Sequence, residues 1–129
     1  MAKRKNRSIT AIVENKDFMV TLFSGAIDYS MSTPFKVLTT DEVKNVNNPQ
    51  NTCREDVWAD VILSGGNLTI EDTESGKTHE INLAKIKRGF KRFMFDCPKK
   101  YAELMCEEGD FYTYDNLLQV IIYGEVIYD

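Results

Sequence analysis

The chain has 129 residues, of which 43% are hydrophobic and 11% aromatic; this composition fits a globular protein and excludes a disordered one. The length corresponds to one domain, and no apolar run approaches the roughly 20 residues of a membrane-spanning helix. The formal net charge is −4, and the charges are unevenly distributed along the chain: residues 1–7 carry four positive charges and residues 85–92 carry five. We therefore expect a basic flexible tail at 1–7 and a single acidic domain at 8–129 with one basic helix.

The expected location is a cytoplasm. The basic first residues are not followed by the roughly 7–15-residue apolar core of a signal peptide. The cysteines at 53, 97 and 106 are odd in number and lack metal-type spacing, which indicates reduced thiols. We expect no metal, no cofactor and no membrane partner.

The first part of the chain predicts a strand and then a helix. Residues 8–13 are β-branched and apolar and favour a strand. Asn15 can cap a helix from Lys16 to about Ile27, since apolar side chains recur there at helical spacing. A hairpin that turns at residues 15–17 is the alternative.

Two capping boxes predict further helix starts, at Thr39 with Glu42 and at Thr52 with Glu55. Residues 45–52 have the composition of a loop. The second helix then shows an apolar stripe and ends at a pair of glycines: Trp58, Val61, Ile62, Gly65 and Gly66.

Residues 68–70 and 79–83 alternate as a β-hairpin that turns near 75–76. Its charged residues, Asp72, Glu74 and Glu80, form either a carboxylate cluster or an ordinary charged turn. His79 is the only histidine and has no partner motif for acid–base or nucleophilic chemistry, so we expect a packed or half-exposed strand residue.

Asn82 caps a helix predicted over 83–95, with its apolar side chains facing inward. Gly89 lies in the middle of this helix and indicates a close approach by another element. Asp96 is suited to cap the next helix, which has Pro98 in its first turn.

The C-terminal part predicts an aromatic linker at 110–114 and an amphipathic helix that ends at Tyr123, before Gly124. The apolar residues 126–128 have to be packed, either as a short strand or as a plug beside the basic helix near Gly89. Gln119, among apolar neighbours, needs full hydrogen bonding or a functional partner if it is buried. Together these elements predict a single α+β domain, with a hairpin or small antiparallel sheet packed against four to five short helices.

The basic helix is the sharpest candidate site. It carries the five expected ligand-binding residues, which form two ridges at helical spacing: Lys85, Lys87, Arg88, Lys91 and Arg92. Like charges this close repel one another, and an anion, above all a phosphate, would relieve the repulsion. The alternative is a solvated face paired with carboxylates of the acidic body.

Three aromatic residues, Phe111, Tyr112 and Tyr114, are the second candidate contact surface. They can stack on a base, serve as a protein interface, or belong to the core. No catalytic motif or metal-ligand cluster accompanies them, so we expect no enzyme.

Several motifs in order resemble a family of small proteins from bacteriophages and prophages of Gram-positive bacteria. They are Gly65-Gly-Asn-Leu68, Asp72-Thr-Glu74, Ile81-Asn-Leu83 with Gly89, and a Leu118-Gln119 to Gly124-Glu125 block. Members of that family also show an early Gly-Gly-Ile-x-Tyr-Trp motif. This chain matches it only in part, with Gly25-Ala-Ile-Asp-Tyr29-Ser30 at that position.

The resemblance carries over no catalytic residue. It implies a phage-encoded accessory protein that acts in the host cytoplasm by binding, with a host-defence component, either a protein or a phosphate-bearing ligand, as the target. The alternative is a nucleic-acid-binding protein that uses helix 85–92 and the basic tail. A homo-oligomer is also expected, because tyrosines and apolar residues lie near the C-terminus.

Overall fold

A computed structural model describes residues 9–28 and 33–128; the expected tail at 1–7 and the motif residues Tyr29 and Ser30 lie outside them. The described residues form an antiparallel three-stranded sheet and seven α-helices, which confirms the α+β class. The helices are α1 (Ile9–Val13), α2 (Lys16–Phe23), α3 (Asp41–Lys44), α4 (Arg54–Leu63), α5 (Leu83–Asp96), α6 (Pro98–Met105) and α7 (Phe111–Tyr123). The strands are β1 (Phe35–Val37), β2 (Leu68–Asp72) and β3 (Thr78–Ile81). None of the helices in this part of the chain is long and apolar enough to cross a membrane.

The first element is a helix, so the strand predicted at 8–13 is wrong. Ile9, Ile12 and Val13 have i, i+3, i+4 spacing and pack on the hydrophobic core, where Val13 is fully buried. β-Branched residues lower helix propensity only slightly, and packing against α5 outweighs that preference.

The helix predicted after Asn15 is confirmed, and the alternative hairpin is wrong. The Asn15 side chain accepts a hydrogen bond from the backbone N–H of Phe18 at 3.1 Å, as an N-cap does. The helix then widens into a π-helical turn over Ser24–Asp28. Gly25 in this turn lies so close to α7 that an added Cβ would stand 3.0 Å from the Cβ of Tyr114.

The short helices were predicted in the right places, but their caps differ by one residue. Thr40, rather than Thr39, caps α3, accepting from Val43 N–H at 3.4 Å. The N-cap of α4 is Cys53, which makes no side-chain capping bond. The N-cap of α6 is Cys97; Asp96 instead ends α5. A cap depends on where the chain enters the helix, which neighbouring elements decide.

The predicted hairpin is confirmed as β2 and β3, and β1 adds a third strand that the sequence did not indicate. The sheet order is β1-β2-β3, both pairs being antiparallel. Phe35 pairs with Asp72 across β1 and β2, and Ile70 pairs with His79 across β2 and β3. Asp72 therefore shares the inner face of the sheet with Ile70 and His79.

Helix α7 is the centre of the core and contacts α5, α2, α6 and β3. It begins at Phe111, where Asp110 and Thr113 form a capping box, so the aromatic linker predicted at 110–114 is the first turn of this helix. It ends at Tyr123, as predicted, with Gly124 in the left-handed conformation at φ 80°.

The close approach predicted at Gly89 is confirmed. A Cβ added there would lie 2.5 Å from the Cα of Ile121, so only glycine lets α5 and α7 meet at this distance. The C-terminal segment does not fill this gap, which corrects that prediction. It lies instead along Gln119, and Ile127 is 47% exposed rather than packed.

Candidate functional site

An open groove of about 510 Å³ lies between α5 and α7. Its charged lining consists of four cationic side chains from α5, which define the basic groove: Lys85, Arg88, Lys91 and Arg92. The remaining lining is Gly89, Phe95, Val120, Ile121 and Gly124. The basic helix and the final helix, both predicted from sequence, thus combine into one concave surface.

Two glycines shape the basic groove. Gly89 brings the backbones of α5 and α7 together and leaves Val120 and Ile121 in the groove lining. Gly124 ends α7 beside Arg92, whose Nε would lie 4.0 Å from a Cβ added to the glycine. The cationic side chains of α5 therefore line the groove together with apolar residues of both helices.

Lys87 is the predicted cation that does not belong to the basic groove. Its ammonium forms an ion pair with Glu14, in the turn between α1 and α2. For this residue the alternative interpretation, a basic side chain paired with a carboxylate of the body, describes the structure.

The four groove cations differ in the ion pairs and hydrogen bonds that their side chains form. Arg92 pairs with Asp96 at 3.1 Å, but both side chains are more than half exposed and such a pair is weak. Lys85 donates to the backbone carbonyl of Glu80 at 3.4 Å. Arg88 and Lys91 form no ion pair and no side-chain hydrogen bond within residues 9–28 and 33–128. The middle of the groove therefore carries uncompensated positive charge.

The electrostatics of Lys85 reflect this crowding. Partial burial, and after it the neighbouring Arg88 guanidinium, lower the pKa of the Lys85 ammonium from its usual value. A bound anion would oppose both effects, since it would stabilise the protonated form.

Phe95 is a groove residue that the sequence analysis missed. It is 69% exposed, the most exposed large hydrophobic side chain in the described part of the chain. It follows Lys85, Arg88 and Arg92 at helical spacing, so it continues their ridge. That spacing is visible in the sequence, but it does not reveal that this side chain lies in a groove.

The predicted aromatic surface is divided and lies apart from the basic groove. Phe111 and Tyr112 are 54% and 59% exposed at the start of α7, while Tyr114 is half-buried against Gly25. Val120 is the first residue of α7 in the groove lining, and at about 1.5 Å per helical residue it is roughly 12 Å from Tyr112 along the helix. The two surfaces predicted from sequence are thus separate.

A second cluster of polar groups surrounds Asp72, which is fully buried. Its carboxylate accepts hydrogen bonds from the hydroxyls of Tyr123 and Tyr128, the latter at 2.6 Å. It also accepts from the backbone N–H groups of Glu74 at 2.9 Å and Ser75 at 3.2 Å. The sequence predicts this residue in a charged turn or a carboxylate cluster, not in a buried site.

The other members of that expected cluster are not beside Asp72. Glu80 pairs with Thr69 on the outer face of the sheet, and the Glu74 side chain is exposed in the turn. The alternation of side chains along β2 and β3 separates them.

The protonation states around Asp72 indicate a structural role. Burial raises the pKa of the carboxyl, but the hydrogen bonds from Tyr123, Tyr128 and the turn amides outweigh it and bring the pKa to about 2. Burial and the bond to Asp72 raise the pKa of Tyr123, and the same bond raises that of Tyr128. At neutral pH the carboxylate is a weak base and both phenols are protonated, which suits neither general-base nor nucleophilic catalysis.

His79 lies next to this cluster as the predicted half-buried strand residue. Its ring packs edge-on against Tyr123, with centroids 5.0 Å apart. The buried Nε2 has no hydrogen-bond partner among the described residues. Burial, followed by the charge of Lys85, lowers the pKa of His79, so its imidazole is neutral at pH 7.

The part of the chain that the structure describes contains no group of three or more acidic, histidine or cysteine residues that could hold a metal ion. The chain was also compared with known proteins, and no family model, no curated protein and no solved structure matches it.

Proposed function

We propose that the protein acts by binding, and that its basic groove holds a phosphate-bearing ligand. The observation that carries this proposal is the convergence of four cations on one open groove, with Arg88 and Lys91 unpaired among the described residues. Placing like charges together is unfavourable unless an anion neutralises them. Arginine offers a bidentate fork to phosphate, and lysine adds a point charge.

The resemblance to small phage proteins supports an accessory role in a bacterial host. In that role the protein is non-enzymatic and acts in the host cytoplasm, where capture of a host-defence component is one use for such a groove. The basic groove is the surface that would contact the target.

The test is a comparison of two charge-reversal variants. Arg88→Glu with Lys91→Glu removes the unpaired groove cations without breaking an ion pair among the described residues. Lys44→Glu with Lys77→Glu makes the same change in net charge at exposed positions outside the groove. The probe is a fluorescein-labelled inorganic polyphosphate chain, followed by fluorescence anisotropy.

We expect the groove variant to bind at least about tenfold more weakly than the native protein, because two phosphate contacts are reversed in charge. The control variant should stay close to the native affinity. Equal losses in both variants, or no binding by the native protein at low salt, would contradict the proposal.

A second candidate function is self-association through Phe111 and Tyr112. Two adjacent aromatic side chains that are more than half exposed are typical of protein interfaces, and a second copy of the chain is the partner we propose. Light scattering at high micromolar concentration should give a mass above that of the monomer, and Phe111→Ser with Tyr112→Ser should lower it. A monomeric mass for the native protein would rule this out.

A further inference from the structure

The ligand of the basic groove can be defined more closely from Phe95. This side chain is 69% exposed, although a phenyl ring exposed to water is unfavourable. It lies in the groove lining beside Arg92, at the end of the cationic ridge. Cations followed by an exposed aromatic ring are the combination with which proteins bind unpaired bases and their phosphates.

The length of the ridge favours a polymer over a small anion. Lys85 and Phe95 are about 15 Å apart along α5, at roughly 1.5 Å per residue. One phosphate group, or one nucleotide, reaches only part of this distance and leaves the other cations without a partner. A chain with several phosphates can neutralise Lys85, Arg88 and Arg92 together.

The shape of the groove favours a single strand over a duplex. Reading a duplex requires a helix that projects far enough to enter the major groove. Helix α5 instead packs against α7, because Gly89 and Ile121 hold the two helices in contact, and its cations line the groove between them. The bases of a duplex are also stacked and paired, so a ring such as Phe95 gains a stacking partner only from an unpaired base.

We infer that the basic groove binds single-stranded nucleic acid, with the phosphates on the four groove cations and an unpaired base stacked on Phe95. This inference rests on the proposed function, since it names the class of phosphate-bearing ligand that the groove takes.

The experiment compares three labelled probes of about ten nucleotides: an oligo-dT strand, an abasic strand with the same phosphates, and a duplex. Each is titrated with the native protein and with Phe95→Leu, Phe95→Trp and Arg88→Glu with Lys91→Glu. Position 95 is exposed, so these replacements do not disturb the core. We expect the native protein to prefer oligo-dT over both other probes.

Phe95→Leu should weaken oligo-dT binding by about tenfold, and Phe95→Trp should retain it, because stacking needs the ring. Neither replacement should change binding of the abasic strand. The logarithm of the affinity for oligo-dT should fall with the logarithm of salt concentration with a slope of about −2 to −3, as expected for up to four neutralised phosphates.

Equal affinity for the three probes, a preference for the duplex, or an unchanged affinity in Phe95→Leu would overturn this inference. If the charge-reversal variant still lost binding in those cases, the proposed phosphate site would stand. If no probe bound, this inference would be overturned, and the proposed function would also be wrong if the polyphosphate chain failed to bind. If the charge-reversal variant bound as well as the native protein, the proposed function itself would be wrong.

Discussion

The side-chain amide of Gln119 both donates a hydrogen bond to the backbone of Tyr128 and accepts one from it. Its Nε2 donates to the carbonyl oxygen of Tyr128 at 3.0 Å, and its Oε1 accepts from the N–H of the same residue at 2.8 Å. The Oε1 also accepts from the N–H of Ile127 at 2.8 Å. A fully buried glutamine on α7 thus substitutes for a neighbouring strand and fixes the C-terminal segment.

Replacing Gln119 with leucine should destabilise the protein by about 2–4 kcal/mol, because three hydrogen bonds are lost while the buried volume is nearly kept. Chemical denaturation measures the free energy of unfolding. Gln50→Leu, at an exposed position, is the matched control. Equal stability of the Gln119 variant and the native protein would show that the segment is held by other contacts.

Deleting residues 125–129 should leave the protein barely folded. Ile127 is half-exposed and contributes little, but Val126 packs on the core and Tyr128 bonds to Asp72. With the bonds to Gln119, the expected loss is about 4–8 kcal/mol, against a total stability of about 5–15 kcal/mol for a domain of this size. A thermal melt within a few degrees of the full chain would contradict this role.

Acid stability should depend on Tyr128. The pKa of Asp72 is about 2 in the folded protein and 3.8 in the unfolded chain, so the unfolded chain binds a proton more readily at this residue. The stability that Asp72 contributes is complete above about pH 4 and is lost as the pH falls towards 2. Tyr128→Phe removes one donor and raises the pKa of Asp72, which should move acid unfolding to higher pH.

Circular dichroism between pH 5 and pH 2, at values spaced by about half a unit, measures this shift. Tyr101→Phe is the control, because the structure gives its hydroxyl no hydrogen bond within the described residues. If Tyr128→Phe and Tyr101→Phe unfold at the same pH, the Asp72 cluster does not stabilise the carboxylate.

Replacing Gly89 with alanine should destabilise the protein by about 1–3 kcal/mol, although alanine is the better helix former by about 1 kcal/mol. The added Cβ would overlap the Cα and Cγ1 of Ile121, both 2.5 Å away, so α5 and α7 must separate. Ala84→Gly, at an exposed position of the same helix, measures the propensity difference alone. A stabilised Gly89 variant would show that the two helices are not in close contact.

Elements with local causes could be predicted from the order of residues along the chain. Asn82 precedes an amphipathic segment and caps α5 through its bond to Lys85 N–H at 2.9 Å, and Gly124 ends α7 because it takes a positive φ. The alternation over 68–70 and 79–83 predicted the hairpin in the same way, and the structure forms it over 68–72 and 78–81. These features depend on neighbours a few residues apart, and so they can be read in order along the chain.

Packing of the whole domain determines which of these residues contact one another. Lys87 pairs with Glu14 across 73 positions, and Tyr128 bonds to Asp72 across 56. Such contacts gave Lys87 a structural role, turned a supposed surface aspartate into a buried acceptor, and made a helix of residues 9–13. No local preference specifies a pairing over these distances; it follows from how the apolar faces of α5, α7 and the sheet bury one another, which is a property of the packed core as a whole.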